Sequence, residues 1–314
     1  MRTVEATTVP AADLDRRDGW EPDVDARLAA LESPVRDLLA PRLESLAADR
    51  ITIVPDVHYP FHPSTGMVTD PAVTGAAVAV LEERTDADVA VAGASDEYID
   101  LERTAAYLGY DDLLDRFDAT LVDCAAADAI NTVVEIGDES LAVSVPTRLR
   151  EGAVVVVPTL RPTADGPIAG GMRTLARLVD GPDESPIGPV AATRAVEPTV
   201  AVLDATTTYG GRPYAADTLF AGPPAAVDAV GTALLERSPE DDDALRVALS
   251  DDGTAVAVEG SGTDAGFDLA AMRARLPAGE LPPSDETHPA VSAAYRLYAA
   301  LGGDAVPPQL EGRR

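Results

Sequence analysis

The chain has 314 residues and a formal charge of -30: 54 acidic side chains face 24 basic ones, every one of them arginine. Without lysine there is no Schiff-base amine, no anchor for pyridoxal phosphate and no phosphate-loop lysine, and scattered arginines outnumbered more than two to one do not make the cationic surface that nucleic acid requires. A carboxylate surface self-repels in dilute salt and is screened within roughly 3 Å at 1 M, so the composition points to a salt-rich cytoplasm.

Short Val-rich runs alternate with Ala/Leu-rich amphipathic stretches, the pattern of strands that cross over through helices. It predicts an α/β fold: a mostly parallel sheet, flanking helices and a small antiparallel hairpin insertion. Residues 2–9 read as a strand, 23–31 and 33–47 as helices, and Ile51–Pro55 as a buried strand followed by a long loop to Thr69. Asp70-Pro71 opens the next helix, an N-cap followed by a proline at the first helical position, and the helix runs to about Arg84. Val89–Ala92 is the following strand, ending at Gly93-Ala94-Ser95-Asp96.

Helical stretches flank Gly109, strand Thr120–Asp123 follows, and Asn131–Ile136 pairs with Leu141–Val145 across Gly137-Asp138. The four valines Val154–Val157 form a strand buried on both faces. A loop from Pro158 to Gly171 leads into helix 172–179, and 180–198 reads as a looser segment. Val200–Leu203 is a strand ending at Asp204, followed by a glycine-rich loop; helix 224–237 ends near the acidic run Glu240–Asp243. The remainder reads as helix, strand 254–258, helix, and a last helix over 287–301. The expected organisation is an N-terminal strand and helices (1–50) packed on an α/β core (51–240), with 241–314 extending the same unit.

Several absences are expected. The lone Cys124 supports neither an internal disulfide nor an internal iron–sulfur cluster. Residues 1–18 lack the apolar run of a secretory signal, and no stretch approaches the roughly 20 apolar residues that span a bilayer. A soluble protein without membrane or nucleic-acid partners follows; the sequence leaves its oligomeric state open.

Chemistry concentrates at strand ends. The loop from Asp56 to Gly66 holds His58 and His62, two of three histidines, beyond the carboxyl end of a strand, where open α/β sheets bind ligands. Two readings stand: a site in which Asp56, His58 and His62 ligate a divalent metal or His58 acts as a base, or a proline-stiffened loop whose histidines only hydrogen-bond. Asp70 reads as a helix cap. Ser95 sits in a small-residue turn, either against a ligand or as an ordinary connection. Arg161 and Arg173, around a glycine-rich helix start, suit a carboxylate or phosphate clamp, or surface ion pairs. Asp204 ends a strand, and Asp228 lies in an apolar stretch where a buried carboxylate needs a partner. Gly260–Gly266 lacks dinucleotide spacing and reads as a turn. His288, before Pro289, reads as a cap or surface residue.

The order of Ile53-Val54-Pro55-Asp56, Gly66-Met67-Val68-Thr69-Asp70-Pro71, Ala106-Tyr107-Leu108-Gly109-Tyr110, Val154–Pro158 with Gly170–Leu178, Val202-Leu203-Asp204 and Leu219–Asp228 resembles the family called domain of unknown function 362, over about 50–237. The resemblance implies an α/β protein whose strand-end loops share a cleft, and it implies no particular reaction. Where relatives tend to carry Lys-Pro-Asn this chain has Val54-Pro55-Asp56; Thr159, Arg161 and Arg173 stand where lysines are usual, and Pro223-Pro224 replaces an Asp-Pro pair. Arginine replaces a lysine's charge but not its proton chemistry. The expectation is therefore a cleft lined by the 56–66 loop, Ser95, Arg161, Asp204 and Asp228 that binds a small anionic or metal-bridged ligand, enzymatic or not. The alternatives are a non-catalytic binding or scaffold protein and a redox partner relying on another subunit's cluster.

Overall fold

The structure, a computed structural model, describes residues 1–10, 24–58, 60–96, 99–181, 185–250, 255–262, 264 and 266–281. The 287–301 helix and His288 lie outside the described residues.

Among the described residues the expected strands and helices form with shifted ends, and three further elements, at 147–150, 188–196 and 213–222, join them. In chain order they are β1 (Arg2–Thr8), α1 (Val24–Leu39), β2 (Arg50–Pro55), α2 (Pro71–Arg84), β3 (Asp88–Gly93), α3 (Leu101–Leu108), α4 (Tyr110–Leu114), β4 (Thr120–Asp123), β5 (Ala129–Ile136), β6 (Glu139–Pro146), α5 (Thr147–Arg150) and β7 (Ala153–Val157). Then come α6 (Gly170–Ala176), α7 (Gly188–Val196), β8 (Val200–Tyr209), β9 (Pro213–Gly222), α8 (Pro224–Leu234), α9 (Asp243–Ser250), β10 (Val256–Gly260) and α10 (Leu269–Arg273).

Three differences have local causes. The two helices expected over 23–47 are one helix that continues through Pro34, because its buried face of Leu31, Val35, Leu38 and Leu39 outweighs one lost backbone bond; it stops before Pro41. The segment 180–198 contains α7, with Pro189 in its first turn. The loop expected after Asp204 is the continuation of β8: Thr206-Thr207-Thr208-Tyr209 are strand formers, and Gly210-Gly211 turn the chain into β9. Asp204 thus sits inside a strand, beside a bulge between Ala205 and Thr207.

Eight strands form one sheet in the order β10-β1-β9-β8-β7-β2-β3-β4, with β9 alone antiparallel to its neighbours; β5 and β6 form a separate hairpin. The fold is α/β. Alternation divides the core: Val154 and Val156 face a cluster with α6, α7, α8 and the hairpin, while Val155 and Val157 face α1 to α4. From β2 the chain winds outward through β3 and β4, then returns to β7 on the other side of β2 and continues to β8. The winding reverses between β2 and β7, the switch point at whose carboxyl ends such sheets hold ligands. Among the described residues no helix is long and apolar enough to cross a membrane.

The 56–69 loop lies on the β7 and β8 ends. A Cβ at Gly66 (φ 70°) would stand 2.7 Å from the Thr208 carbonyl carbon, whereas one at Gly109 (φ 83°) meets nothing within 4 Å. Both substitutions to alanine pay for a left-handed backbone, about 1–2 kcal/mol. Gly66→Ala should lose roughly a further 1–3 kcal/mol by overpacking, read by urea unfolding at constant salt. Equal losses would show that the loop does not press on β8.

Candidate active site

Asp56 leaves β2 with its backbone N–H donating to the Val157 carbonyl (3.2 Å) and the Thr69 hydroxyl (2.8 Å). That hydroxyl donates to the same carbonyl (2.5 Å), and the Thr69 N–H donates to the Asp56 carbonyl (2.9 Å). The loop is therefore pinched shut at its neck, and Asp56 is fixed to the end of β7.

The Asp56 side chain, 1% exposed, meets Arg161 from the segment after β7. Arg161 donates through Nε (3.1 Å) and Nη2 (3.0 Å) to Oδ2. His58 Nδ1 lies against Asp56 Oδ1, and Arg161 Nη2 is 2.8 Å from His58 Nε2. An ionised carboxylate only accepts and a guanidinium only donates, so Nδ1 carries the imidazole proton and Nε2 accepts from Arg161. The three side chains close a ring.

Burial would raise the Asp56 carboxyl, but the Arg161 charge and then His58 outweigh it and hold it well below the usual carboxylate range. His58 is pushed down to about 4, chiefly by burial and further by Arg161 and Arg177, against the pull of Asp56. At neutral pH the ring thus holds a carboxylate, a neutral imidazole and a guanidinium. Chemically it offers an acceptor at Nε2, reachable once Arg161 shifts, and a cation whose Nη1 takes part in none of these bonds.

The other expected residues have different employment. His62 turns inward to a local 3-10 turn, its Nδ1 contacting the Ser64 hydroxyl (2.7 Å) and accepting from the Ser64 N–H (3.3 Å). Among the described residues no group of three or more His, Cys, Asp or Glu side chains is placed to hold a metal ion. Asp56 and His58 are adjacent, but the Arg161 cation stands where a metal would need to be. The Asp56/His58/His62 metal set therefore does not assemble.

Ser95 donates from its backbone and hydroxyl to Asp123 (3.0 and 2.5 Å) and accepts from Leu101 N–H, stapling β3, β4 and the start of α3. Asp204 accepts from the Asp70 N–H (2.8 Å) and from the Thr206 N–H and hydroxyl (2.9 and 2.7 Å), holding the bulge against the start of α2. Asp70 caps that helix through Ala72 and pairs with the buried Arg27. The Asp204 and Asp56 charges both add to the burial that raises the Tyr110 phenol, so both carboxylates lie near this ring on the α2 face.

Asp228 lies across the sheet on α8. It accepts from the N–H groups of Gly171 (2.6 Å) and Met172 (3.0 Å) and so caps α6, whose Gly170 (φ 57°) leaves no room for a Cβ beside the carboxylate. Burial raises its carboxyl to about 7 despite these bonds. Arg173, expected beside Arg161, is held by both carboxylate oxygens of Asp242 (2.8 and 3.0 Å). The shared cleft of Ser95, Arg161, Asp204 and Asp228 thus resolves into a compact ring at the switch point and separate structural staples. Residues that strand-end reasoning passed over are Thr69, Arg27, Asp123 and Asp242; the Thr-Asp-Pro element was the signal for the first.

His58 makes stability pH-dependent in a definite direction. Its folded value, about 4, lies below the unfolded value of about 6.5. Between these limits only the unfolded chain gains the proton, so this contribution is full above 6.5 and declines by about 3 kcal/mol as pH falls to 4. Asp228 acts oppositely in the same window. The difference between the wild type and His58→Gln isolates the histidine, and urea unfolding at pH 4.5 and 7 should show the variant lacking this loss. Parallel curves would mean that His58 titrates normally.

A family model described as Domain of unknown function (DUF362) matches residues 51–233, which run from β2 to α8 and include all three ring residues. No curated protein and no solved structure matches the chain.

Proposed function

The chain belongs to the family Domain of unknown function (DUF362), and from that premise we propose that it binds a small, compact anion at the Asp56–His58–Arg161 ring and serves as an enzyme there. The observation that carries this reading is the meeting of these three side chains at the reversal between β2 and β7. The anion takes Arg161 as its counterion through the unused Nη1 edge. A shift of Arg161 toward the ligand then releases the lone pair of His58 Nε2, and Asp56, bonded to Nδ1, stabilises the imidazolium that forms when Nε2 accepts a proton. The ring's own cation favours an anion over a metal-bridged ligand.

A second, non-catalytic reading is favoured by the engagement of both imidazole nitrogens. In it the ring is a lock that shapes a binding surface and His58 never titrates in function. The chain's charge of -30 further supports a salt-rich cytoplasm as its working environment. On that account the unfolding midpoint should rise between 0.1 and 2 M KCl as carboxylate repulsion is screened; a flat or falling midpoint contradicts it.

The anion reading is tested by thermal unfolding in molar KCl with phosphate, oxalate, malonate and pyruvate. A ligand at 100 times its Kd stabilises the folded state by about 2.7 kcal/mol. At least one should shift the wild type, and Arg161→Lys, which keeps the charge but loses the planar fork, should weaken that anion at least tenfold. No shift with any anion, or equal shifts in both proteins, would sink the proposal. If an anion binds and the proton uptake that accompanies binding is the same in His58→Gln, the non-catalytic reading stands.

A further inference from the structure

A cavity of about 590 Å³ opens between α6, α7 and the middle of β6, within the size range of small-molecule sites. Its walls are of two main kinds, and they include one acidic residue, Asp165. Val143, Ala176, Val179, Pro186 and Ala192 supply an apolar lining. Arg173 and Arg177, one turn apart on and just beyond α6, supply positive charge.

The two arginines are in different states. Arg173 is neutralised and immobilised by Asp242. The Arg177 guanidinium makes no hydrogen bond or ion pair among the described residues, although the chain has 54 carboxylates for 24 basic side chains. Its charge still reaches inward, lowering both Asp56 and His58, though no hydrogen bond or ion pair joins it to the ring. Among the described residues, an exposed arginine on the lip of a partly apolar cavity thus stands as a counterion without an internal partner.

We propose that the α6–α7 cavity binds a small organic anion with an apolar body, its carboxylate or phosphate on Arg177 and its hydrocarbon part against Val143, Val179, Pro186 and Ala192. The Ser185 hydroxyl, also on the wall, supplies a further donor to the anionic head. The apolar body separates this ligand from the compact anion assigned to Arg161, and the site does not depend on that assignment.

Equilibrium dialysis in molar KCl with hexanoate and phenyl phosphate, against acetate and inorganic phosphate, tests it. Hexanoate or phenyl phosphate should bind the wild type at least tenfold more tightly than its counterpart without a body. Because Arg177 is exposed, Arg177→Gln should keep the wild-type melting midpoint while losing tenfold or more in affinity; Ala176→Leu, which fills the cavity, should lose the apolar preference. His58→Gln should bind within twofold of wild type. Undetectable binding of all four probes, or unchanged affinity in Arg177→Gln, overturns the proposal. Loss in His58→Gln with retention in Arg177→Gln assigns the anion to the ring and likewise overturns this site while sparing that one.

Discussion

A carboxylate at the bottom of a protein interior is tolerated only if something answers its charge. Left alone, Asp56 would lose several kcal/mol of hydration; in place, it has a guanidinium on one oxygen and an imidazole on the other. That pairing joins the exits of two strands far apart in sequence, β2 and β7, and their backbones are tied again through Thr69 and the Val157 carbonyl. Removing one partner would strand the other, so charge and architecture are mutually dependent at this point.

The sheet explains why the pairing forms there. Parallel strands whose order runs outward in both directions from β2 and β7 leave their connections nothing to pack against at the reversal, and polar side chains from both exits fill the space. Elsewhere, strand ends use the same chemistry more simply. Ser95 with Asp123, Asp204 with Thr206 and Asp228 with the first turn of α6 each satisfy backbone donors that would otherwise be buried unbonded. Among the described residues, buried carboxylates therefore divide into those answered by N–H groups, such as Asp204 and Asp228, and those paired with a guanidinium, Asp56, Asp70 and Asp242.

Much of this was legible beforehand. The alternation of valine runs with amphipathic stretches led to the α/β class, and Asp56, His58 and Arg161 each stood out as polar residues just past a strand. Their meeting was not legible, because no local pattern says that Val154–Val157 lies beside Ile51–Pro55. The strand Pro213–Gly222 escaped notice because Gly210-Gly211 is as compatible with an open loop as with a hairpin turn, and its first half mixes Pro, Asp and Ala. Asp228 was recognised as a carboxylate in need of a partner. That partner, the backbone of α6, has no side-chain signature. His62 looked equivalent to His58, yet the Pro63-Ser64 turn that follows gives its ring a local bond to Ser64.

The pinched neck at Asp56 and Thr69 divides labour within the loop. Residues below the pinch belong to the sheet; those above it, from Val57 to Val68, hang from a closed collar. His58 is held by the ring and Gly66 by β8, so drift over generations is confined to the turn at 62–65, where it disturbs strand pairing little. Selection for a new ligand has a ready substrate there, while the anchoring charges beneath stay as they are.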